Sequence, residues 1–259
     1  MAAASRQARA DRLSVSIIRP SMSKSRAAKE VGVLHCIVTG DVGHRDKKKG
    51  SMAYSILIAN PKGGSGKSTL ATNLAGFYAA QGSRVMLGDV DKQQTSLSWL
   101  SCRPTPLPYI DGWQVSPGEP AKPPKGTQVV VLDSPAGLQG KKLAALVARV
   151  DRVIVPIQPS PFDMWASREF LAQLLQEKAV RKQRAFVGVV GMRVDPRTRS
   201  ARDLQQFLAE LHVPVLGWLR DTQLYVQAAA SGMTLFDLPT SRAARDLEAW
   251  RGILQWLDN

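Results

Sequence analysis

The chain has 259 residues, 44% of them hydrophobic, a share that supports a buried core and excludes wholesale disorder. Its 35 Lys/Arg against 21 Asp/Glu give a net charge of +14, which points to a polyanion, either nucleic acid or an acidic membrane surface. Two cysteines, Cys36 and Cys102, are too few for a disulfide framework or a four-cysteine metal site.

The charge divides unevenly at Met52. Residues 1–51 hold 11 Lys/Arg and 4 Asp/Glu, and residues 52–259 hold 24 and 17, so each part carries +7. The first part is rich in Ala, Ser and Arg, and its apolar runs, such as 15–18, are too short for a signal-peptide core. Its composition fits a disordered basic arm or a transit peptide. A third reading places the true start at Met52. Codons for Lys47-Lys48-Lys49-Gly50-Ser51 can form a purine-rich stretch like a ribosome-binding site. The expected organisation is a basic, disordered leader over 1–51 and one folded domain over 52–259. No run of about 18 apolar residues occurs, so no transmembrane helix is expected.

From Met52, short apolar runs alternate with helical segments. A buried strand is predicted over 54–59, then a glycine-rich turn, then a helix over 68–81 ended by Gly82. A second strand covers 84–89 and a short helix 95–100, stopped by Pro104, Pro106 and Pro108. A strand over 109–115 precedes a loop marked by Pro117, Pro120, Pro123 and Pro124. The unbroken apolar run 128–133 ends in Asp133 and fits a strand buried on both faces. Helices follow over 138–150, 163–179, 200–211, 222–230 and 241–257, with strands over 152–156, 185–192 and 213–219. This alternation predicts an α/β fold, a doubly wound, mostly parallel sheet with helices on both faces.

Gly63-Gly64-Ser65-Gly66-Lys67-Ser68 lies between a predicted strand and a predicted helix. The general phosphate-loop pattern is G-x-x-x-x-G-K-[ST]; here Pro61 stands at its first glycine. The glycines still permit positive φ and bring backbone N–H groups close to phosphate oxygens. The helix that begins near Lys67 adds its positive end. Lys67 can reach the β/γ-phosphates, and Ser68 can offer a hydroxyl to Mg²⁺. Asp133, at a strand's carboxyl end, has the position of a second metal-site acid. Asp89 and Asp91 close the second strand at the same edge, and one of them can orient an attacking water.

Together these residues resemble the ParA/MinD superfamily of deviant-Walker ATPases, over essentially all of 52–259. Lys62-Gly63-Gly64-Ser65-Gly66-Lys67-Ser68-Thr69 looks like the deviant Walker A box of that P-loop NTPase family. Asp89-Val90-Asp91-Lys92-Gln93-Gln94 is similar to its D-x-D-P-Q element, with Lys92 where proline is usual. Val130-Val131-Leu132-Asp133-Ser134-Pro135-Ala136-Gly137 resembles its Walker B region. Pro156-Ile157-Gln158-Pro159-Ser160-Pro161-Phe162-Asp163 resembles a segment near the nucleotide base, which brings in Pro159.

The resemblance implies roles by position. Lys62 would reach across a homodimer to the partner's ATP, and Lys67 would bind phosphates in its own subunit. Gly63, Gly64, Ser65, Gly66 and Thr69 would cradle the nucleotide. Ser68 and Asp133 would serve Mg²⁺, and Asp91 would position the hydrolytic water. It further implies nonspecific DNA binding by arginines of the C-terminal half, with Arg193, Arg197, Arg199, Arg220 and Arg242 as candidates. Lys178, Arg181, Lys182 and Arg184 form another basic run. Asp195, Asp203, Asp221 and Asp246 are interspersed and can pair some of these arginines. The chain looks like the short ParA type without a helix-turn-helix domain. It would be cytoplasmic and nucleoid-associated, and would work with a cargo-adaptor protein, ParB-like or analogous.

Two other classes stand beside this one. A MinD-like member would bind membranes through a C-terminal helix. Trp250, Ile253, Leu254 and Leu257 form a stripe at helical spacing there. A membrane-surface helix wants basic residues on its polar face, and beyond Trp250 only Arg251 is basic, so core docking is expected. A metabolic ligase of the superfamily would need a small-substrate pocket that no residue here demands. His35, His44 and His212 have no metal-ligand spacing, and Cys102 is expected to be structural. The cysteines do not lie where the related nitrogenase iron protein holds its cluster.

Overall fold

The computed structural model describes residues 53–114 and 123–259. The leader over 1–51, with His35, Cys36 and His44, lies outside the described residues, as do Pro117 and Pro120.

Seven strands form one sheet: β1 (Tyr54–Ile58), β2 (Val85–Asp89), β3 (Ile110–Gln114), β4 (Val129–Asp133), β5 (Arg152–Ile157), β6 (Phe186–Gly191) and β7 (Val215–Trp218). Their order is β3-β2-β4-β1-β5-β6-β7, and every pairing is parallel. The expected doubly wound fold is therefore present, with an all-parallel sheet among the described residues. Parallel strands need crossovers that cover both faces, which is why β2, β4 and β5 are buried along their whole length.

The helices are α1 (Lys67–Ala80), α2 (Thr95–Ser101), α3 (Gly140–Val147), α4 (Pro161–Gln176), α5 (Lys178–Arg181), α6 (Arg199–Glu210), α7 (Gln223–Ala230) and α8 (Thr240–Asp258). Alternation along β1 sends its side chains to two cores. Ile56 and Ile58 join Leu70 and Leu74 of α1 and Trp250 and Ile253 of α8. Leu57 joins Leu143 of α3, Leu171 and Leu174 of α4 and Leu204 of α6. Each fully buried Leu or Ile contributes about 1.5–3 kcal/mol. The stripe on α8 is therefore core: Trp250 and Ile253 are fully buried, and Leu254 and Leu257 nearly so. No helix among the described residues is long and apolar enough to cross a membrane.

Three elements differ from expectation. The helix predicted over 163–179 breaks at Glu177, whose φ of −60° and ψ of 136° are extended. The break lets Ala179 turn into the core and accept two amides, from Arg184 at 2.8 Å and Ala185 at 3.2 Å. The helix predicted over 138–150 spans only Gly140–Val147. A 3₁₀ turn, Leu235–Asp237, carries no clear sequence signal; a capping box between Thr234 and Asp237 closes it.

β1 sits at the centre, where the strand order reverses direction. The crevice outside the carboxyl ends of the strands opens at such a point. The loop that follows β1 enters it.

Candidate nucleotide site

The phosphate loop is held from several sides. Asn60 is fully buried; its Nδ2 donates to Pro156 O at 2.7 Å and to Ser167 Oγ at 3.1 Å, and its Oδ1 accepts from Lys62 N at 2.8 Å. Gly137 N donates to Pro61 O at 2.9 Å. Gln158 Nε2 donates to Gly64 O at 2.6 Å, and Pro159 follows it in the chain. Gly66 has φ +97°, and a Cβ there would stand 2.6 Å from Met192 Cε. Only glycine fits that bend. Gly63 and Gly64 are exposed, and nothing lies within 4 Å of where their Cβ atoms would be. Ser65 Oγ donates to Lys62 O at 3.2 Å.

Lys67 opens α1 and is 8% exposed. Its Nζ donates to Lys62 O at 2.7 Å. Burial lowers its pKa, and the charges of Asp133 and Asp91 oppose that shift. Ser68 and Thr69 follow on the first turn, half-buried, and Thr69 O accepts from Asn73 Nδ2 at 2.8 Å.

Asp133 ends β4 directly beside Asp89 of β2. Desolvation raises its pKa to about 6, against hydrogen bonds from Ser68 and Ser96. Ser96 Oγ donates to Asp133 Oδ2 at 2.5 Å. Asp133 Oδ1 is buried without a hydrogen-bond partner. Asp89 is also buried; its two oxygens accept from Asp91 N and Ser96 N, each at 2.9 Å. Both oxygens of Asp89 are thus committed to shaping the loop. Asp91 is half-buried and accepts from Gln93 N at 3.1 Å. Asp91, unlike Asp89, is partly exposed.

The orphaned oxygen of Asp133, beside the Ser68 hydroxyl, fits a hard cation that takes oxygen ligands. Mg²⁺ suits it, since that ion draws few ligands from the protein and the rest from phosphates and water. Among the described residues no group of three or more His, Cys, Asp or Glu gathers as a metal cage. Bound there, Mg²⁺ would neutralise charge on the phosphates.

Sequence reasoning gave no individual role to Asn60, Ser96 or Gln158, each of which has a partner far along the chain. It also missed Arg103, just past α2. Its guanidinium grips Asp237 with two bonds of 3.0 Å, and the two side chains are 5% and 2% exposed. Arg103 Nη1 also donates to Gly232 O at 3.2 Å.

The candidate DNA-binding arginines are largely paired. Arg193 lies 4.0 Å from Asp221, Arg197 2.8 Å from Asp195, and Arg199 3.9 Å from Asp203. Arg197 holds the Asp195 carboxyl down at about 2. Arg220 makes two bonds, of 2.6 and 2.8 Å, to the buried carboxylate of Asp246. Arg242 donates to Gln227. Each acid noted between these arginines has taken one of them.

A parallel sheet with a glycine loop, a buried lysine and a strand-end aspartate defines a P-loop nucleotide-binding protein. Residues 56–235 match the CobQ/CobB/MinD/ParA nucleotide-binding domain, and the chain belongs to that family. It is 29% identical over 203 residues to maintenance of carboxysome distribution protein A of Halothiobacillus neapolitanus, covering 75% of this chain and 92% of the relative. It is 31% identical over 210 residues to the protein of the same name from Gloeobacter kilaueensis, covering 78% and 93%. A plasmid partition protein of Borrelia burgdorferi, solved with AMPPNP, shares the fold with a TM-score of 0.60 at 18% identity, covering 79% of this chain and 99% of that one. The chain is a ParA/MinD-like positioning ATPase that uses ATP and Mg²⁺.

Proposed function

We propose that the chain dimerises on ATP, binds DNA without sequence preference, and positions a cargo through hydrolysis stimulated by an adaptor protein. One observation carries this reading: two lysines on one phosphate loop have different commitments. Lys67 is buried and bonded within its own loop. The Lys62 side chain is half-buried and makes no hydrogen bond or ion pair among the described residues. Two facing ATP molecules bring much negative charge into one interface, and a lysine offered in trans offsets part of it. ATP then favours the dimer by mass action, and hydrolysis loosens it. Asp91 positions the water.

Two relatives named for carboxysome distribution favour a large protein assembly as the cargo over a plasmid or chromosome. Membrane attachment through α8 is not favoured, because the stripe it would use is core.

Retention of the full chain on arbitrary duplex DNA tests the reading. The expected result is retention with ATP and Mg²⁺, release with ADP, steep weakening with salt, and loss in Lys67→Ala. Equal retention with ATP and ADP, or ATP-dependent sedimentation with anionic vesicles instead, overturns it.

A further inference from the structure

We propose that Phe162 and Trp165, at the start of α4, form an aromatic anchor that a second copy of the chain covers when ATP is bound. The inference rests on the reading that ATP brings two copies together, and it names side chains that hold them besides the nucleotide itself.

A single exposed hydrophobe is ordinary, but contiguous exposed apolar side chains mark an interaction site. Phe162 is 69% exposed and Trp165 64% exposed, and their rings meet edge to face with centroids 5.6 Å apart. Among the described residues no other ring pair joins two exposed residues. The core makes no use of them. α4 docks through Ser167, Phe170, Leu171 and Leu174, and helical spacing puts 162 and 165 on the opposite face. Phe186, also exposed, differs: the Arg152 guanidinium caps its ring, 4.7 Å from the centroid.

Two tethers fix this end of α4 to the phosphate loop. Gln158 Nε2, just before the helix, donates to Gly64 O at 2.6 Å. Just past Trp165, Ser167 Oγ accepts from Asn60 Nδ2 at 3.1 Å, and Asn60 Oδ1 in turn accepts from Lys62 N at 2.8 Å. α4 leaves the carboxyl end of β5, and β5 pairs with β1, whose carboxyl end carries the phosphate loop. The rings therefore stand on the same edge as Lys62. A dimer closed through its nucleotide edges brings them into its interface, and two-fold symmetry uses the patch twice. Nucleotide on the loop and a partner on the rings then bear on one tethered unit.

The area of the patch accounts for the need for ATP as well. At their observed exposures the two rings offer about 200–300 Å² per protomer, well below the roughly 800 Å² per partner of an ordinary stable interface. The pair alone cannot hold two copies together. It acts as a hot spot of the kind that tryptophan supplies at interface centres, and takes effect once ATP and Lys62 add the rest. A membrane is the poorer occupant. The one basic residue of α4, Arg168, is turned to Glu210 at 3.1 Å, so the helix brings no free cation to anionic headgroups.

The test measures dimerisation of the full chain by sedimentation velocity, with AMPPNP and Mg²⁺ and with ADP. One variant combines Phe162→Ala and Trp165→Ala. The control is Tyr109→Ala, which removes a ring 78% exposed at the amino end of β3, on the opposite edge. The double variant is expected to need about tenfold more protein, or higher, to dimerise with AMPPNP. The control is expected to stay within about twofold of wild type. Thermal midpoint and ADP affinity, expected unchanged, separate a lost interface from a lost fold. Dimerisation of the double variant at the wild-type concentration overturns the proposal. So does a matching loss of ADP affinity, which makes the rings part of the nucleotide site. A loss confined to sedimentation with phosphatidylglycerol vesicles makes them a membrane contact and overturns it too. Trp165→Phe keeps a ring and gives a second readout. Wild-type tryptophan emission should shift to the blue with AMPPNP and not with ADP, and this variant should lose most of the shift while still dimerising. An undiminished shift in Trp165→Phe counts against the proposal equally. Wild type that binds AMPPNP but stays monomeric sinks the underlying reading instead.

Discussion

Ser96 ties together the two carboxylates at the sheet edge. Its hydroxyl donates to Asp133 Oδ2 at 2.5 Å, and its amide donates to Asp89 Oδ2 at 2.9 Å. It thereby joins Asp133 to the loop that carries Asp91. Ser96→Ala removes the hydroxyl and takes one donor from the buried Asp133 carboxylate. Unfolding free energy should fall by about 1–2 kcal/mol. The Mg²⁺ concentration needed for half-maximal hydrolysis should rise. Urea unfolding and a Mg²⁺ titration of ATPase activity measure the two effects.

Asp133 makes the nucleotide-free protein sensitive to pH. Its folded pKa of about 6 lies above the ordinary value of 3.8. The folded state therefore holds this proton more tightly than the unfolded state. Near pH 3.8 and below, both states are protonated and the residue costs nothing. As pH rises from about 4 to 6 the buried charge forms and stability declines; the loss is complete above 6. Its size is about 3 kcal/mol. Asp89, also raised by desolvation, acts in the same direction. Asp133→Asn should weaken this pH dependence and raise stability at pH 8 while abolishing hydrolysis. Urea midpoints at pH 5 and pH 8 give the comparison; a wild-type protein more stable at pH 8 than at pH 5 contradicts it.

Asp91→Ala should slow hydrolysis by about 100-fold or more, the scale of a lost proton acceptor. ATP-dependent dimers should persist, since the phosphate loop is untouched. Single-turnover hydrolysis and light scattering with ATP test both halves. A variant that cannot dimerise with ATP shows that Asp91 shapes the loop instead of serving the water.

Arg103→Met should cost about 3–5 kcal/mol, because it strands the Asp237 carboxylate in a buried place. Thermal and urea unfolding measure it. A loss below about 1 kcal/mol would mean that water reaches Asp237.

The phosphate loop, the strand-end position of Asp133 and the strand sequence were legible because each is written in a short stretch of chain. Gly66-Lys67-Ser68 announces its bend through a glycine that tolerates positive φ, and the apolar run into Asp133 announces a buried strand. Ser96 was not legible: a serine at a helix start is ordinary until β4 brings Asp133 beside it, 37 positions away. Spacing alone left Asp89 and Asp91 open, and only the resemblance pointed to Asp91. Both lie at the edge, and the backbone hydrogen bonds that Asp89 accepts become visible only in the fold. The break at Glu177 was missed because no glycine or proline marks it; the core's hold on Ala179 makes the turn. Arginine pairing was anticipated as a possibility, but which acid takes which arginine is a matter of tertiary distance.

α2 has seven residues, so it is about 10 Å long. Its first turn is fastened to Asp89 and Asp133, and the chain just past its last turn is fastened to Gly232 and Asp237. A rod so short has neither slack nor a hinge between its ends. Moving one anchor must carry the other along or break a buried hydrogen bond, at roughly 1–3 kcal/mol. Asp133 and the turn at 232–237 are thus joined through one short helix.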